Sequence, residues 1–298
     1  MTMAASSISI IFSPYHVGLR DNRVGDGPNR ILKLGLIEQI EELGIKVHID
    51  EIQPVDDFEG EIGRSFEVLR RTSVAVSKAR ARNSFPFVLS GNCMASVGAA
   101  CGLGIKDLNF IYFDAHDDMD TPSTNENGYF DAMGLSMLAG KSWHWHTQQI
   151  PGYSPMNYKN RFLYVGLRDV NDTQRKAVAE AGAEVIWGDA QKRVEFAREL
   201  ETRLERRDFS PSLVHLDLDV LDESVGKVNG FESAGGLHEG DLVQCMSLLP
   251  KKAAPASLTM CSFNPNLGDG DKVATIGIRA AVTFVESLVA TSVLRKAT

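Results

Sequence analysis

The chain has 298 residues, of which 43% are hydrophobic and 23% charged, with a formal net charge of −8. A chain this long buries roughly three quarters of its unfolded surface, so it needs neither a disulfide nor a metal merely to fold. Acidic and basic residues are interspersed without a basic stripe, which argues against nucleic acid as a partner.

Short apolar runs alternate with amphipathic segments along the chain. Strands are predicted at Ile8–Phe12, Val47–Ile49, Phe87–Leu89, Phe110–Phe113, Phe162–Val165, Glu184–Trp187, Leu213–Leu218 and Ser257–Cys261. The first follows no basic region and reads as a strand, not a signal peptide. Between the strands, Ile31, Leu34, Ile37, Ile40 and Leu43 repeat at helical spacing up to a stop at Gly44. Arg64–Ala81, Asp172–Ala181, Ala190–Arg207, Glu239–Leu248 and Lys272–Leu294 also read as helices. Thr121–Asn160 is a long irregular connection of the kind that walls active sites. The alternation predicts one α/β domain over 1–298, a three-layer α/β/α fold around a mainly parallel sheet of about eight strands. No run approaches the roughly 18 to 20 apolar residues of a membrane span. Cys93, Cys101, Cys245 and Cys261 show no CxxC pairing. A cytoplasmic, reducing setting is expected, with no membrane partner.

The strongest chemical signal is Asp114-Ala-His116-Asp117-Asp118-Met-Asp120, directly after the strand Phe110–Phe113. Ligands of open parallel sheets bind beyond the carboxyl ends of strands. Alternate residues of an extended segment point the same way, so Asp114, His116 and Asp118 can converge on one point. Two carboxylates and an imidazole suit Mn²⁺ or a related divalent ion. Alone, such a cluster could equally cap a helix or face water. His215-Leu-Asp217-Leu-Asp219 repeats the design at the end of a second apolar strand. Two acidic strand ends sharing one crevice are costly unless cations neutralise them. A pair of divalent ions there can lower the pKa of a water and direct it at a carbon bonded to nitrogen.

These motifs resemble those of the arginase/agmatinase (ureohydrolase) family, whose hallmark is a GGDHS-like turn, then DAHxD, then SxDxD. Here they stand as Ser90-Gly91-Asn92-Cys93-Met94, Asp114-Ala115-His116-Asp117-Asp118 and His215-Leu216-Asp217-Leu218-Asp219. Gly25-Asp-Gly-Pro28, Ile150-Pro-Gly-Tyr153, Val165-Gly-Leu-Arg-Asp-Val170, Gly235-Gly-Leu237 and Asn264-Pro-Asn-Leu267 match as well, so the likeness spans nearly the whole chain. The resemblance implies an arginase-like fold, a small-molecule substrate, a homo-oligomer (trimer or hexamer) and two divalent ions, Mn first. It makes Asp114, His116, Asp118, Asp217 and Asp219 metal ligands, with Asp114 and Asp217 bridging.

The chain departs from the family at several positions. The turn histidine, a sixth metal ligand, becomes Cys93. As a thiolate it would shift preference towards Zn or Fe; as a small buried residue it would leave one metal position weak. The same exchange occurs in relatives that hydrolyse hydroxyarginine. The glutamate that pairs with the guanidinium becomes Ser262. The proton-shuttling histidine becomes Asp131, expected here to touch substrate and relay protons together with Asp118. The aspartate that reads the amino-acid head becomes Asn171, and a substrate-contacting threonine becomes His238. The expected function is a binuclear hydrolase cleaving a C–N bond of a guanidino-, amidino- or amide-type molecule other than arginine. Recruitment of the same centre to another reaction, or a non-catalytic binding role, are the alternatives.

Other residues also draw notice. Trp143-His144-Trp145-His146 could line the pocket or an interface. His16 and Arg20 follow the first strand as candidate wall residues. His48 reads as an ordinary strand residue, and Asp222 as a turn residue supporting the ligands.

Overall fold

The computed structural model describes residues 4–56, 60–268 and 270–297. All eight expected strands form, and they lie in one sheet. They are β1 (Ser7–Ser13), β4 (Val47–Glu51), β5 (Ser84–Ser90), β6 (Asn109–Phe113), β7 (Phe162–Leu167), β8 (Glu184–Trp187), β9 (Ser212–Asp217) and β10 (Pro255–Cys261). The order is β4-β1-β5-β10-β9-β6-β7-β8, and the paired strands run parallel. A small antiparallel hairpin, β2 (Tyr15–His16) and β3 (Leu19–Arg20), stands apart from the sheet.

Period-two alternation sends successive strand residues into different cores. Ile111 and Phe113 of β6 join one cluster, and Phe110 and Tyr112 join the other. The first core is closed by α1 (Gly27–Lys33), α2 (Leu36–Glu42), α8 (Phe196–Arg206), α9 (Glu239–Lys252) and α10 (Gly270–Ala290). The second is closed mainly by α3 (Glu61–Ala81) and α4 (Ala95–Leu103), with α5 (Gly134–Leu138) and α7 (Asp172–Ala181). This is the three-layer α/β/α fold. Burial on both faces explains why the strands are apolar throughout rather than alternating.

Four local readings change. The helix expected across Ile31–Leu43 is two helices, because Gly35 takes φ of +90°, which glycine reaches at no steric cost. The helix expected from Ala190 begins at Phe196, since Asp189 first folds a turn by accepting from the backbone of Gln191 and Lys192. The last helix stops at Ala290, and Leu294 then bridges to Ala5. Helix α4 had no sequence signal, because each of its residues is buried and no polar face marks its period. Helix α10 is long and apolar enough by composition to cross a membrane, contrary to expectation. Of its apolar window, 61% is buried inside the fold, where it packs on α9 and α1.

Candidate metal centre

The adjacent strands β5, β10, β9 and β6 occupy the middle of the sheet. Their carboxyl ends carry, in turn, Cys93 just beyond Ser90, Ser262, Asp217 with Asp219, and Asp114 with His116 and Asp118. The order of strands thus assembles residues up to 169 positions apart at one crevice. Gly91 lets the β5 turn enter: a Cβ there would lie 2.2 Å from Tyr15 O and 2.7 Å from Gly25 Cα.

All six expected ligands meet. Cys93, Asp114 and Asp118 can address one point, and Asp114, His116 and Asp219 a second, so Asp114 is common to both. His116 Nδ1 lies 3.2 Å from Asp219 Oδ2 and 3.5 Å from Asp114 Oδ1. The Cys93 thiol donates to Asp217 Oδ2 at 2.6 Å, and Asp217 Oδ1 accepts from the Asp219 amide at 2.7 Å. The ligands are held from behind by residues to which the sequence pattern did not point. Tyr112 Oη donates to Asp118 Oδ2 at 2.7 Å, Asn229 Nδ2 donates to Asp219 Oδ2 at 2.8 Å, and His116 Nε2 lies 3.6 Å from Asp169. Arg168 donates to the carbonyls of Asp219, Val220 and Leu221, tying down the loop after β9. Asn229 lies on another segment, whereas Tyr112 stands on β6 just before the motif and Arg168 and Asp169 fall in the Val165–Val170 match, where no role was read for them. Asp222 accepts from the amides of Gly235 and Gly236, the turn role expected of it.

Electrostatics describe a site built for cations. Burial, with the neighbouring Asp219, pushes Asp114 up to about 7. Burial and nearby carboxylates also push Asp118 and Asp217 well above the usual range. Asp219 is held low, because His116 and Asn229 outweigh its burial. Asp114 Oδ2 is buried and has no hydrogen-bond partner among the described residues. An orphaned buried carboxylate oxygen facing other acids calls for a cation. The donor set, carboxylates with one imidazole and one thiol, fits divalent ions.

The residues expected to meet substrate divide. Ser262 lies at the floor of the cleft, its Oγ 2.9 Å from Cys93 Sγ. Asn171 and His238 do not reach the cleft, which corrects their expected contact with substrate. Asn171 caps α7, accepting from the Gln174 amide while Gln174 Oε1 accepts from the Asn171 amide. His238 is exposed at the start of α9 and lines a different depression beside Asp189. Gln174, one turn after Asn171, faces the cleft instead.

Asp131 borders the cleft, but its oxygens are already engaged. Oδ2 accepts from Asn92 Nδ2 at 2.6 Å and from the Cys93 amide at 3.2 Å, and Oδ1 accepts from the Met94 amide at 2.8 Å. It therefore locks the turn that carries Cys93, a structural task not foreseen for it. Asp131→Ala leaves buried donors unpaired and is expected to cost about 3 kcal/mol in denaturant unfolding. Unchanged stability with a rate loss of ~10²-fold would restore its expected role as a proton relay.

The cleft encloses about 820 Å³ including its open mouth. Its walls include His16, whose buried Nδ1 has no partner among the described residues, and Arg23. Tyr129 stacks on Phe231 at 5.9 Å between ring centres, and both line the cleft. The first part of the Thr121–Asn160 connection thus forms a wall. The Trp143–His146 run does not: Trp143 and His146 pack on Phe66. Arg20 turns away to Glu51.

Comparison with known proteins agrees with this geometry. The family model described as "Arginase family" matches residues 6–290. An arginase of Bacillus caldovelox is 27% identical over 285 residues, covering 91% of this chain and 95% of that protein. The crystal structure of an arginase from Bacillus subtilis superposes with a TM-score of 0.83 at 23% identity, covering 94% of this chain and 98% of that one. The proclavaminate amidino hydrolase of Streptomyces clavuligerus superposes with a TM-score of 0.69 at 14% identity, covering 95% and 92%. The chain belongs to the arginase family.

Proposed function

We propose that this protein is a hydrolase dependent on two divalent ions that cleaves a C–N bond of a neutral or weakly basic small molecule, such as a hydroxyguanidine or an amide. The observation that carries the reading is Ser262 on the cleft floor beside an intact set of metal-ligating carboxylates. A glutamate at that position would be the counter-ion of a buried guanidinium. A desolvated cation without a partner loses several kcal/mol. The mouth points the same way, since Arg23 lines it and repels a cationic substrate.

Asp114 lies between two groups of donors. His116 and Asp219 would hold one ion with it, and Cys93 and Asp118 the other, while Asp217, between the Cys93 thiol and the Asp219 amide, would be the second bridge that the resemblance implies. Ions bound there would supply Lewis-acid activation of water and neutralise the negative charge that develops on the atoms bonded to the carbon under attack. The chain's own residues do the rest. Tyr112 and Asn229 fix the faces of Asp118 and Asp219 by donating to them. Tyr129 and Phe231 offer flat apolar walls to a planar group. His16 presents an uncommitted Nδ1. Burial, with help from Arg23, lowers its pKa to about 4, so at neutral pH it is neutral and its Nδ1 is free to accept a hydrogen bond from a bound group.

The test is release of hydroxyurea from hydroxyguanidines, and of ammonia or a free amine from amides, by Mn²⁺-loaded protein, set against release of urea from arginine and agmatine. Turnover of arginine equal to that of the best neutral compound would sink the reading. Ser262→Glu is expected to improve kcat/KM for a cationic guanidine at least ~tenfold and to lower it for a neutral analogue, about 1.4 kcal/mol in each direction. No change in that preference would remove Ser262 from the specificity argument.

A further inference from the structure

We infer that Cys93, Cys261, His215 and Asp217 form a buried sulfur-and-nitrogen site for one zinc-class divalent ion, on a donor set in which His215 and Cys261 have no counterpart among the ligands discussed above. Their ligand atoms all lie within 4.8 Å of one another, and all four residues are buried.

The register of the sheet creates this grouping. Thr259 of β10 pairs with His215 of β9, and Cys261 pairs with Asp217. Residues two apart on a strand share a face. His215 and Asp217 therefore stand on one face of β9 beside Thr259 and Cys261 of β10, and Cys93 closes over them from β5.

The orientation of His215 points to a ligand. Its ring stacks on Tyr112 at 3.9 Å between centres, inclined by 9°. Its Nδ1 lies 2.7 Å from Thr259 Oγ1, and the Thr259 hydroxyl donates to the Val214 carbonyl at 3.4 Å. With its hydrogen so used, Thr259 Oγ1 can accept from Nδ1–H, and in that tautomer the proton sits on Nδ1 and Nε2 keeps its lone pair. This is how a metal-binding imidazole is usually set by a partner behind it. Nε2 faces Cys261 Sγ at 3.6 Å and Asp114 Oδ2 at 3.9 Å. That Asp114 oxygen is the buried one without a hydrogen-bond partner. An unsatisfied buried acceptor thus borders the same place.

The spacings suit a tetrahedron. With Zn–S near 2.3 Å and Zn–N near 2.0 to 2.1 Å, its edges are roughly 3.8 Å between sulfurs and 3.6 Å between nitrogen and sulfur. Cys93 Sγ and Cys261 Sγ are 3.6 Å apart, and Cys261 Sγ and His215 Nε2 are 3.6 Å apart. Cys93 Sγ and Asp217 Oδ2, now at 2.6 Å, would part by about 1 Å to complete it. Two thiols and an imidazole favour zinc over manganese. Because the site takes Cys93 and Asp217 from the proposed catalytic pair, zinc bound here competes with the ion that Cys93, Asp118 and Asp217 would hold, but it depends on neither the substrate nor the reaction proposed above.

The experiment uses the full chain, stripped with a chelator and reloaded with Co²⁺ as an optical stand-in for zinc. The expected spectrum has a near-ultraviolet thiolate-to-cobalt band and intense visible bands of a tetrahedral ion, all lost on adding one equivalent of Zn²⁺. Cys261→Ala, Cys261→Ser and His215→Ala should each remove the tetrahedral spectrum and weaken zinc binding at least ~tenfold. His116→Ala and Asp219→Ala should keep it, which separates this site from the carboxylate pair. Circular dichroism of each variant shows that it is folded, and the serine variant retains size while losing the soft donor. No thiolate band in the parent, or a band that survives in folded Cys261→Ser and His215→Ala, overturns the site. So does a Cys93–Cys261 disulfide found by mass spectrometry in freshly prepared protein.

Discussion

Replacing Asp114 by alanine is expected to strip both ions of the proposed catalytic pair and to lower hydrolytic turnover at least ~10³-fold. The Cys93–Asp118 group and the His116–Asp219 group both include this side chain, whereas neither includes the other's remaining donors. Asp219→Ala should therefore cost one of those ions and Asp114→Ala two. Elemental analysis after reloading with Mn²⁺ decides the matter. Asp114→Ala protein that still holds both ions would show that the two groups do not share a bridge. Removing a buried carboxylate from among other acids also relieves repulsion, so the variant should unfold at a higher temperature than the metal-free parent.

Metal-free protein is expected to be several kcal/mol less stable at about pH 7.5 than at about pH 5. Burial is the leading cause in pushing Asp114 and Asp117 up to about 7, Asp131 up to about 6, and Asp118 and Asp217 well up. Each of these carboxyls keeps its proton in the folded chain at a pH where the unfolded chain has lost it. The folded state then binds more protons, and stability falls as pH climbs from the ordinary carboxylate range near 4 to about 7. His116, raised mainly by Asp219 against its burial, adds to the fall above its ordinary value of 6.5. His16 and His215, lowered by burial to about 4 and about 3, oppose it below 6.5. These are two groups against five carboxyls. Asp219, held low, stays ionised throughout and drops out of the comparison. With divalent ions present the trend should reverse, because protons and ions compete for the same oxygens. Thermal melting with and without chelator at the two pH values is the measurement. Metal-free protein that melts higher at the upper pH would contradict the packing of these acids.

Much of this was legible in the sequence because the relevant signals are local. Apolar runs of four to seven residues ending in Asp-x-His-x-Asp or Asp-x-Asp state both a buried parallel strand and what stands at its end. All eight strands and the meeting of Cys93, Asp114, His116, Asp118, Asp217 and Asp219 follow from such signals together with the family resemblance. Helix α4 escaped because it is buried all round and has no period to read. Position in an alignment was a poor guide to substrate contact at Asn171 and His238. Both begin helices, and backbone capping placed them outside the cleft.

Asp131 shows the other limit. Its carboxylate was available in principle for proton transfer, but three donors on the Cys93 turn already occupy it. Partners brought from other segments belong to the same class: Asn229 behind Asp219, and Cys261 and His215 beside Cys93. The sequence by itself determined the fold class and the acidic strand ends, since each is written in local runs of residues. Only the tertiary structure decided which side chains share a face across strands, because strand order and register join residues that the chain keeps more than a hundred positions apart.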